Sequence, residues 1–560
     1  MVSLVISRFA PPRTAKGSLR KHGLMLVALF ASGLCLLPLI AVAIAAAMGD
    51  LDSVRHLADT VLLRYTLTTV VLVLFVALLT AIIGTGAAWL VTMTRFPGVK
   101  ILEVALALPF AFPAYVLAYA YTDFLDHPGA VQTTLRTMMG WGPKDYWFPE
   151  VRSIEGAILM LTLVLYPYVY LLARAAFLRE SATANQAART LGRGPWGAFW
   201  GVSLPMARPA IVGGVLLAVM ETIADFGTVS YFGIQTFATG IYTSWFALAD
   251  RGGAAQLALC LLVFALFIAI LERVHRGEAR THTTGTRFER PRPTELKGWH
   301  KVGAIVFCSA PVLFGFLLPL VLLFEMSFRS EQDLLSSRYL GFIQNTLILA
   351  GTAAVMTVAA AVLIAFNQRV NHGRVSIMAA HIGRIGYAVP GGVIAVGLLV
   401  PFAFLDNWID GWAESLFGIS TGLLFTGTIT VLTMAYMVRF MAAALNSFES
   451  GLASVNPSMD AAARTLGSGP LGVLRRIHFP ILSPFVLTAL LIVFVDVMKE
   501  LPATLIMRPF NFDTLAVQAH RLAADERLAG AAVPSLVIVA IGMLPVILVC
   551  RALAQPGQRR

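Results

Sequence analysis

Long apolar runs alternate with short polar stretches from one end of the chain to the other. Runs of about twenty residues lie near 24–47, 66–92, 101–122, 154–178, 207–228, 254–271, 302–326, 343–366, 376–405, 419–445, 482–507 and 531–550. A helix of that length crosses the roughly 30 Å hydrocarbon layer of a bilayer. The pattern therefore predicts an all-α integral membrane protein of about twelve transmembrane helices. Composition agrees: 58% of the 560 residues are hydrophobic and 13% charged, which excludes a water-soluble class.

A net charge of +12 would suggest nucleic acid in a soluble protein, but here its placement between helices carries the information, and no nucleic-acid partner is expected. With the N-terminus inside, the segments on the cytoplasmic side hold 27 Lys and Arg and the opposite side 11. Arg174, Arg384, Arg439 and Lys499 are set apart because they fall within helices or at their ends. That bias predicts both termini in the cytoplasm. The first apolar run follows a basic stretch, as in a signal peptide, but its 24 residues are too long for a cleaved apolar region, so it is read as a retained first helix. Cys35, Cys260, Cys308 and Cys550 fall in or at the ends of apolar helices without CxxC spacing, and the ten histidines form no HxxxH pattern.

One long polar, basic stretch divides the chain. Residues 273–301 read as a cytoplasmic linker, with an N-terminal tail and first helix over 1–60, a first half over 61–272 and a second half over 302–553. Each half has its longest cytoplasmic loop between its fourth and fifth apolar runs, at 179–206 and 447–481. Ala187, Ala188, Arg189, Thr190, Leu191, Gly192, Arg193, Gly194 and Pro195 reappear as Ala462, Ala463, Arg464, Thr465, Leu466, Gly467, Ser468, Gly469 and Pro470, eight of nine identical at an offset of 275. The same offset carries Pro205 onto Pro480 and Pro209 onto Pro484. The halves are thus two parallel six-helix repeats. Each loop predicts a short helix, closed by Gly192 or Gly467 at a position that favours positive φ, then an amphipathic piece ended by Pro205 or Pro480. A merely interfacial helix would not require nearly the same nine residues twice, so a repeated docking surface for a repeated partner is expected.

The offset also pairs acids. Glu221 and Asp225, late in the fifth helix, correspond to Asp496 and Glu500 in the eleventh, each pair spaced i, i+4 on one helix face. Carboxylates at such depth usually face a bundle interior or an aqueous path. Two readings stand: a ring of acid that attracts a cation, with Glu221, Asp225, Asp496 and Glu500 as candidate hard oxygen ligands for a metal, or a pairing of Asp496 with Lys499 and the rest near the interface. Pro113 and Pro390 are expected to kink the third and ninth helices.

The duplicated loop resembles the EAA loop of ABC importer permeases, with the endings Val202-Ser203-Leu204-Pro205 and Ile477-His478-Phe479-Pro480; the family's glutamate is replaced by Gln186 and Ala461. The run from Asp496 through Lys499, Glu500 and Pro502 to Ala516 resembles the fused permeases of ferric iron importers. The resemblance implies a type I importer fold in the bacterial inner membrane and translocation of Fe(III) delivered by a periplasmic substrate-binding protein. It also implies two cytoplasmic ABC ATPase subunits, one docked on each loop of a single copy of this chain, and a gate or docking loop over 501–513 where Pro502 breaks the helix. No GxxxxGK[ST] loop is present, so ATP is expected on the partners and no cofactor on this chain. Rival readings are an importer of thiamine, an organic amine or a phosphonate, and an ion-gradient-driven secondary transporter. An enzyme is disfavoured, since no paired base and nucleophile motif occurs.

Overall fold

The computed structural model describes residues 15–179, 194–276, 293–333, 336–371, 373–386, 389–452 and 455–554. In hydrocarbon every backbone N–H and C=O needs a partner inside the segment, and helices meet that demand. Among the described residues eleven helices are long and apolar enough to cross a membrane, and one further pair, bent by 92°, raises the total to twelve.

The first half runs through α1 (Ala15–Ala47), α2 (Leu63–Met93), α3 (Val99–Ala105), α4 (Ala114–Leu125), α5 (Ala130–Met139), α6 (Ile154–Arg179), α7 (Leu204–Ala224), α8 (Gly227–Tyr231), α9 (Phe237–Tyr242) and α10 (Arg251–Arg276). The second half follows as α11 (Gly298–Val312), α12 (Leu318–Phe328), α13 (Ser337–Val370), α14 (Arg374–Ile385), α15 (Gly391–Phe417), α16 (Ile429–Leu452), α17 (Pro457–Thr465), α18 (Phe479–Met498), α19 (Pro502–Met507), α20 (Leu515–Ala524) and α21 (Leu528–Ala554). The offset of 275 governs structure as well as sequence. It carries Ile154 onto Ile429 at the starts of α6 and α16, and the π-helical turn Phe199–Ser203 onto Leu474–His478.

Those π turns correct the expected ends at Pro205 and Pro480. The helices run on as single spans, Trp196–Ala224 and Pro470–Met498, because each proline lies just after a turn whose looser hydrogen-bond ladder accommodates the missing N–H. Proline acts differently at Pro113 and Pro390. Each takes an extended conformation as the residue before α4 or α15, so the span is broken rather than kinked. The tenth span also begins later than the 419 expected, at Ile429. Residues 418–428 form a loop held by two carboxylates: Asp406 accepts from the N–H groups of Phe425 and Thr426 at 2.9 and 2.8 Å, and Asp410 from that of Thr421 at 2.6 Å. The linker is shorter than 273–301, since α10 continues to Arg276 and Thr294–Glu295 pairs in parallel with Thr94–Arg95; residues 277–292 lie outside the described residues.

Chain order is not the division in space. Helix α1 packs chiefly on α18's own half, against α14, α15 and α13, while α12 packs against α21, α4 and the first half's α6 is reached by the turn preceding α12. Small and aromatic residues are buried together among the helices, with Tyr119, Tyr166, Tyr170 and Tyr436 among the largest fully buried side chains. Close packing of small residues is the usual source of association in lipid, where no hydrophobic drive separates helix from solvent.

One ion pair recurs with its sign inverted. Arg174 on α6 pairs with Glu103 on α3; at the corresponding position of α16 stands Glu449, which pairs with Arg384 on α14 at 2.5 Å. Pairs of this kind, a third exposed or less, lie between the weak exposed and the costly buried limits. Arg384→Glu should lower the melting temperature of the purified chain, with a loss of about 1–3 kcal/mol, and adding Glu449→Arg should restore most of it. Equal melting temperatures for the single variant and the parent would show that this pair contributes nothing.

Candidate functional site

Helices α7 and α18 both stop short, and acids explain why. Asp225 turns out of the helix and accepts from the N–H groups of Thr228 and Val229 at 3.2 and 3.1 Å, capping α8. Glu500 does the same for α19, accepting from the N–H groups of Ala503 and Thr504 at 3.0 and 3.2 Å and from the Thr504 hydroxyl at 3.0 Å. Side-chain oxygens at such positions satisfy donors that a helix start leaves open. Gly227 stands where the second half has Pro502, so proline is not the common cause of the break. A Cβ on Gly227 would come within 2.8 Å of the Tyr115 ring, and the absence of a side chain lets α8 close on α4. The expected non-helical stretch 501–513 is corrected accordingly: Pro502 opens the helix Pro502–Met507, and only the residues after it form a loop, tied by an Arg508–Asp513 ion pair.

Glu221, Asp225, Asp496, Lys499, Glu500 and Pro502 all line one cavity between the halves, about 90 Å³ in volume. The four acids have two roles. Asp225 and Glu500 are caps, whereas Glu221 and Asp496 meet cations. The Lys499 ammonium lies 3.0 Å from Asp496 Oδ1, too oblique for a hydrogen bond but close enough for charge pairing, and 4.0 Å from the centre of the Phe110 ring. Arg439 reaches from α16 to Glu221 at 3.5 Å and to Glu500 at 3.4 Å, and both of these acids lie on the cavity wall. Pairing of Asp496 with Lys499 and a shared acidic cavity thus coexist. Among the described residues no three of His, Cys, Asp and Glu are grouped closely enough to hold a metal ion. Four carboxylates face two cations, so the cavity wall is acidic on balance.

The second loop is described in full detail at its turn. Helix α17 starts at Asn456, whose side chain accepts from the Ser458 N–H, and ends with Gly467 at φ +80°. Ser468 N–H bonds to Ala463 C=O at 3.0 Å and Gly467 N–H to Arg464 C=O at 3.1 Å, the pair of bonds that closes a helix on a left-handed glycine. Ala463 is buried beneath the helix; Ala462, Arg464, Thr465 and Leu466 are exposed, Leu466 at 85%, and Gly469 starts the next helix. Asp460 anchors the helix from below, 2.9 Å from Arg369 Nε and 2.6 Å from His478 Nε2. Burial alone would raise its pKa, but the hydrogen bonds from His478 and Arg369 outweigh that and hold it below the ordinary carboxylate range. In the first loop, Ala187, Ala188, Arg189, Thr190, Leu191 and Gly192 lie outside the described residues; Gly194 is exposed and precedes the short helix Pro195–Ala198.

Sequence reasoning missed Arg439 and the Arg369–Asp460–His478 anchor. The offset held a signal for the first: Val164 occupies the place of Arg439 in the first half, so the arginine is a charge that the repeat does not match.

No family model matches the chain. It is 25% identical to the Fe(3+)-transport system permease protein FbpB 2 of Haemophilus influenzae over 94% of this chain and 97% of the relative. It is 24% identical to the ferric transport system permease protein FbpB of Actinobacillus pleuropneumoniae, over 84% of this chain and 68% of the relative. The molybdenum transport system permease protein ModB of Escherichia coli is 27% identical, with 87% of its length matched by 35% of this chain. A relative of one half's size thus stands beside relatives of full length, as expected of a chain made of two copies. Near-full-length similarity and two parallel halves on one offset together make this multi-pass membrane protein similar, along almost its whole length, to the permeases of ABC transport systems.

Proposed function

We propose that this chain is the transmembrane permease of an ATP-driven, binding-protein-dependent importer that carries Fe(III) across a bacterial inner membrane. The observation that carries the reading is the acidic cavity between the halves, at the point where α7 and α18 both break. Carboxylate oxygens suit a hard cation. A net acidic wall disfavours an oxyanion such as sulfate, although a sulfate transport permease is among the relatives. Both termini are cytoplasmic in this reading, from the distribution of Lys and Arg.

Drive comes from partners. The exposed face of α17 is one docking surface for a cytoplasmic ABC ATPase subunit, and the first loop is the other, so one copy of this chain takes two ATPase subunits. ATP is bound and hydrolysed there, and this chain needs no cofactor of its own. Asp460, Arg369 and His478 tie α17 to α13 and to the turn before α18, so a push on α17 reaches the helix that carries Asp496. A periplasmic substrate-binding protein delivers the cargo on the opposite face, where a cleft is lined by Asp123, Asp126, Glu325 and Glu526 together with Arg152, Arg329 and Arg527.

Deletion of the chain from its host should abolish uptake of radiolabelled Fe(III), and the intact gene should restore it; uptake that persists unchanged would refute the cargo. Replacement of both Gly192 and Gly467 by valine tests the drive. A β-branched residue at φ +80° is strained by about 1–3 kcal/mol, so the turn should open and cargo-stimulated ATP hydrolysis should fall about tenfold or more. Full transport by that double variant would contradict docking at these turns.

A further inference from the structure

We propose that Arg439 is a latch between the halves, holding the place of the cargo cation while the cavity is empty. The inference rests on the reading of the cargo as a cation. The four cavity acids obey the repeat, Glu221 with Asp496 and Asp225 with Glu500, but the two bases do not. At the places of Arg439 and Lys499 the first half has Val164 and Ala224. One half alone supplies the positive charge.

The geometry gives the arginine its role. Its guanidinium spans Glu221 on α7 of the first half and Glu500 on the second at 3.5 and 3.4 Å, the long end of hydrogen bonding. Arginine forms its strongest carboxylate contacts as two parallel bonds at shorter distance, so this is a bridge rather than a tight pair. Its two acids differ. Glu500 keeps the N–H groups of Ala503 and Thr504 and the Thr504 and Tyr436 hydroxyls whether or not Arg439 stays. Glu221 meets the arginine from the far side of the interface, and no other hydrogen bond to it is found among the described residues. Parting of the halves therefore breaks the Glu221 contact first and frees that carboxylate for an arriving cation. Other inter-half pairs lie at the exposed rim. Arg152 with Glu526 and Arg329 with Asp123 are a third to a half exposed on their arginine side, where ion pairs contribute little. Arg439 is buried, and loss of its partner leaves an uncompensated charge.

The test uses spin labels and ATP hydrolysis, neither of which depends on iron. Cysteines replacing the exposed Trp147 and Phe510, one on each half, carry labels on the full chain in lipid nanodiscs. Arg439→Gln and Glu221→Gln should both broaden the inter-half distance toward longer values, and Arg439→Lys should return it to that of the parent. In the complex with the ATPase, the first two variants should raise hydrolysis without binding protein about fivefold or more, the low end of measured couplings between sites. Unchanged distances and unchanged basal hydrolysis in either variant would overturn the latch. Should Arg439→Gln fail to assemble, Glu221→Gln decides, because it leaves Arg439 paired with Glu500. Altered distances with normal uptake of a cargo other than iron would refute the cargo and retain the latch.

Discussion

A charge inside the hydrocarbon layer is tolerated only with a partner or an aqueous surface, and that constraint orders this molecule. Arg174, Arg384, Arg439 and Lys499, four cations in or at the ends of apolar helices, each meet a carboxylate on another helix or on the same one. Two of the pairs, Arg174 with Glu103 and Arg384 with Glu449, fasten α6 to α3 and α16 to α14. The other two gather at the break in the pseudo-symmetric helices and create the cavity. Structure and path are therefore separated by position: Arg174 and Arg384 pair away from the cavity, while Arg439 on its wall reaches Glu221 in one half and Glu500 in the other.

Duplication supplies the rest. A single half with acids at these points would expose them to lipid on one side; two halves in parallel bring Glu221 and Asp496 to a common cavity. The breaks in α7 and α18 follow from the same residues, since Asp225 and Glu500 leave the helix to cap what comes next. The acids thus serve folding and chemistry at once. The asymmetry that duplication left behind, Val164 against Arg439 and Ala224 against Lys499, gives the two halves unequal tasks around one path.

Much of this was legible in the chain. Apolar runs of membrane length gave the helices, and the 275-residue offset gave the halves, the paired acids and the glycine turn at Gly467. Other features were not legible, for physical reasons. Proline has three roles here: it precedes a new helix at Pro113 and Pro390, opens a short helix at Pro502, and sits within a continuous span at Pro205 and Pro480. Only the neighbouring hydrogen-bond ladder tells these apart. The start of α16 at Ile429 depends on Asp406 and Asp410, which lie on the preceding helix and claim the loop's N–H groups. Arg439 was set aside as a helix residue because its partners, Glu221 and Glu500, are 218 and 61 positions away.

The central claim is that the acidic cavity at the double break is where cargo passes between the halves. Its most direct measurement is the position of iron in crystals of the whole complex, loaded with Fe(III) binding protein and arrested with a non-hydrolysable ATP analogue, read from anomalous scattering at the iron edge. The account predicts a peak between Glu221 and Asp496, with Arg439 turned away from Glu221. A peak that lies elsewhere along the interface, with Arg439 still bridging Glu221 and Glu500, would contradict it.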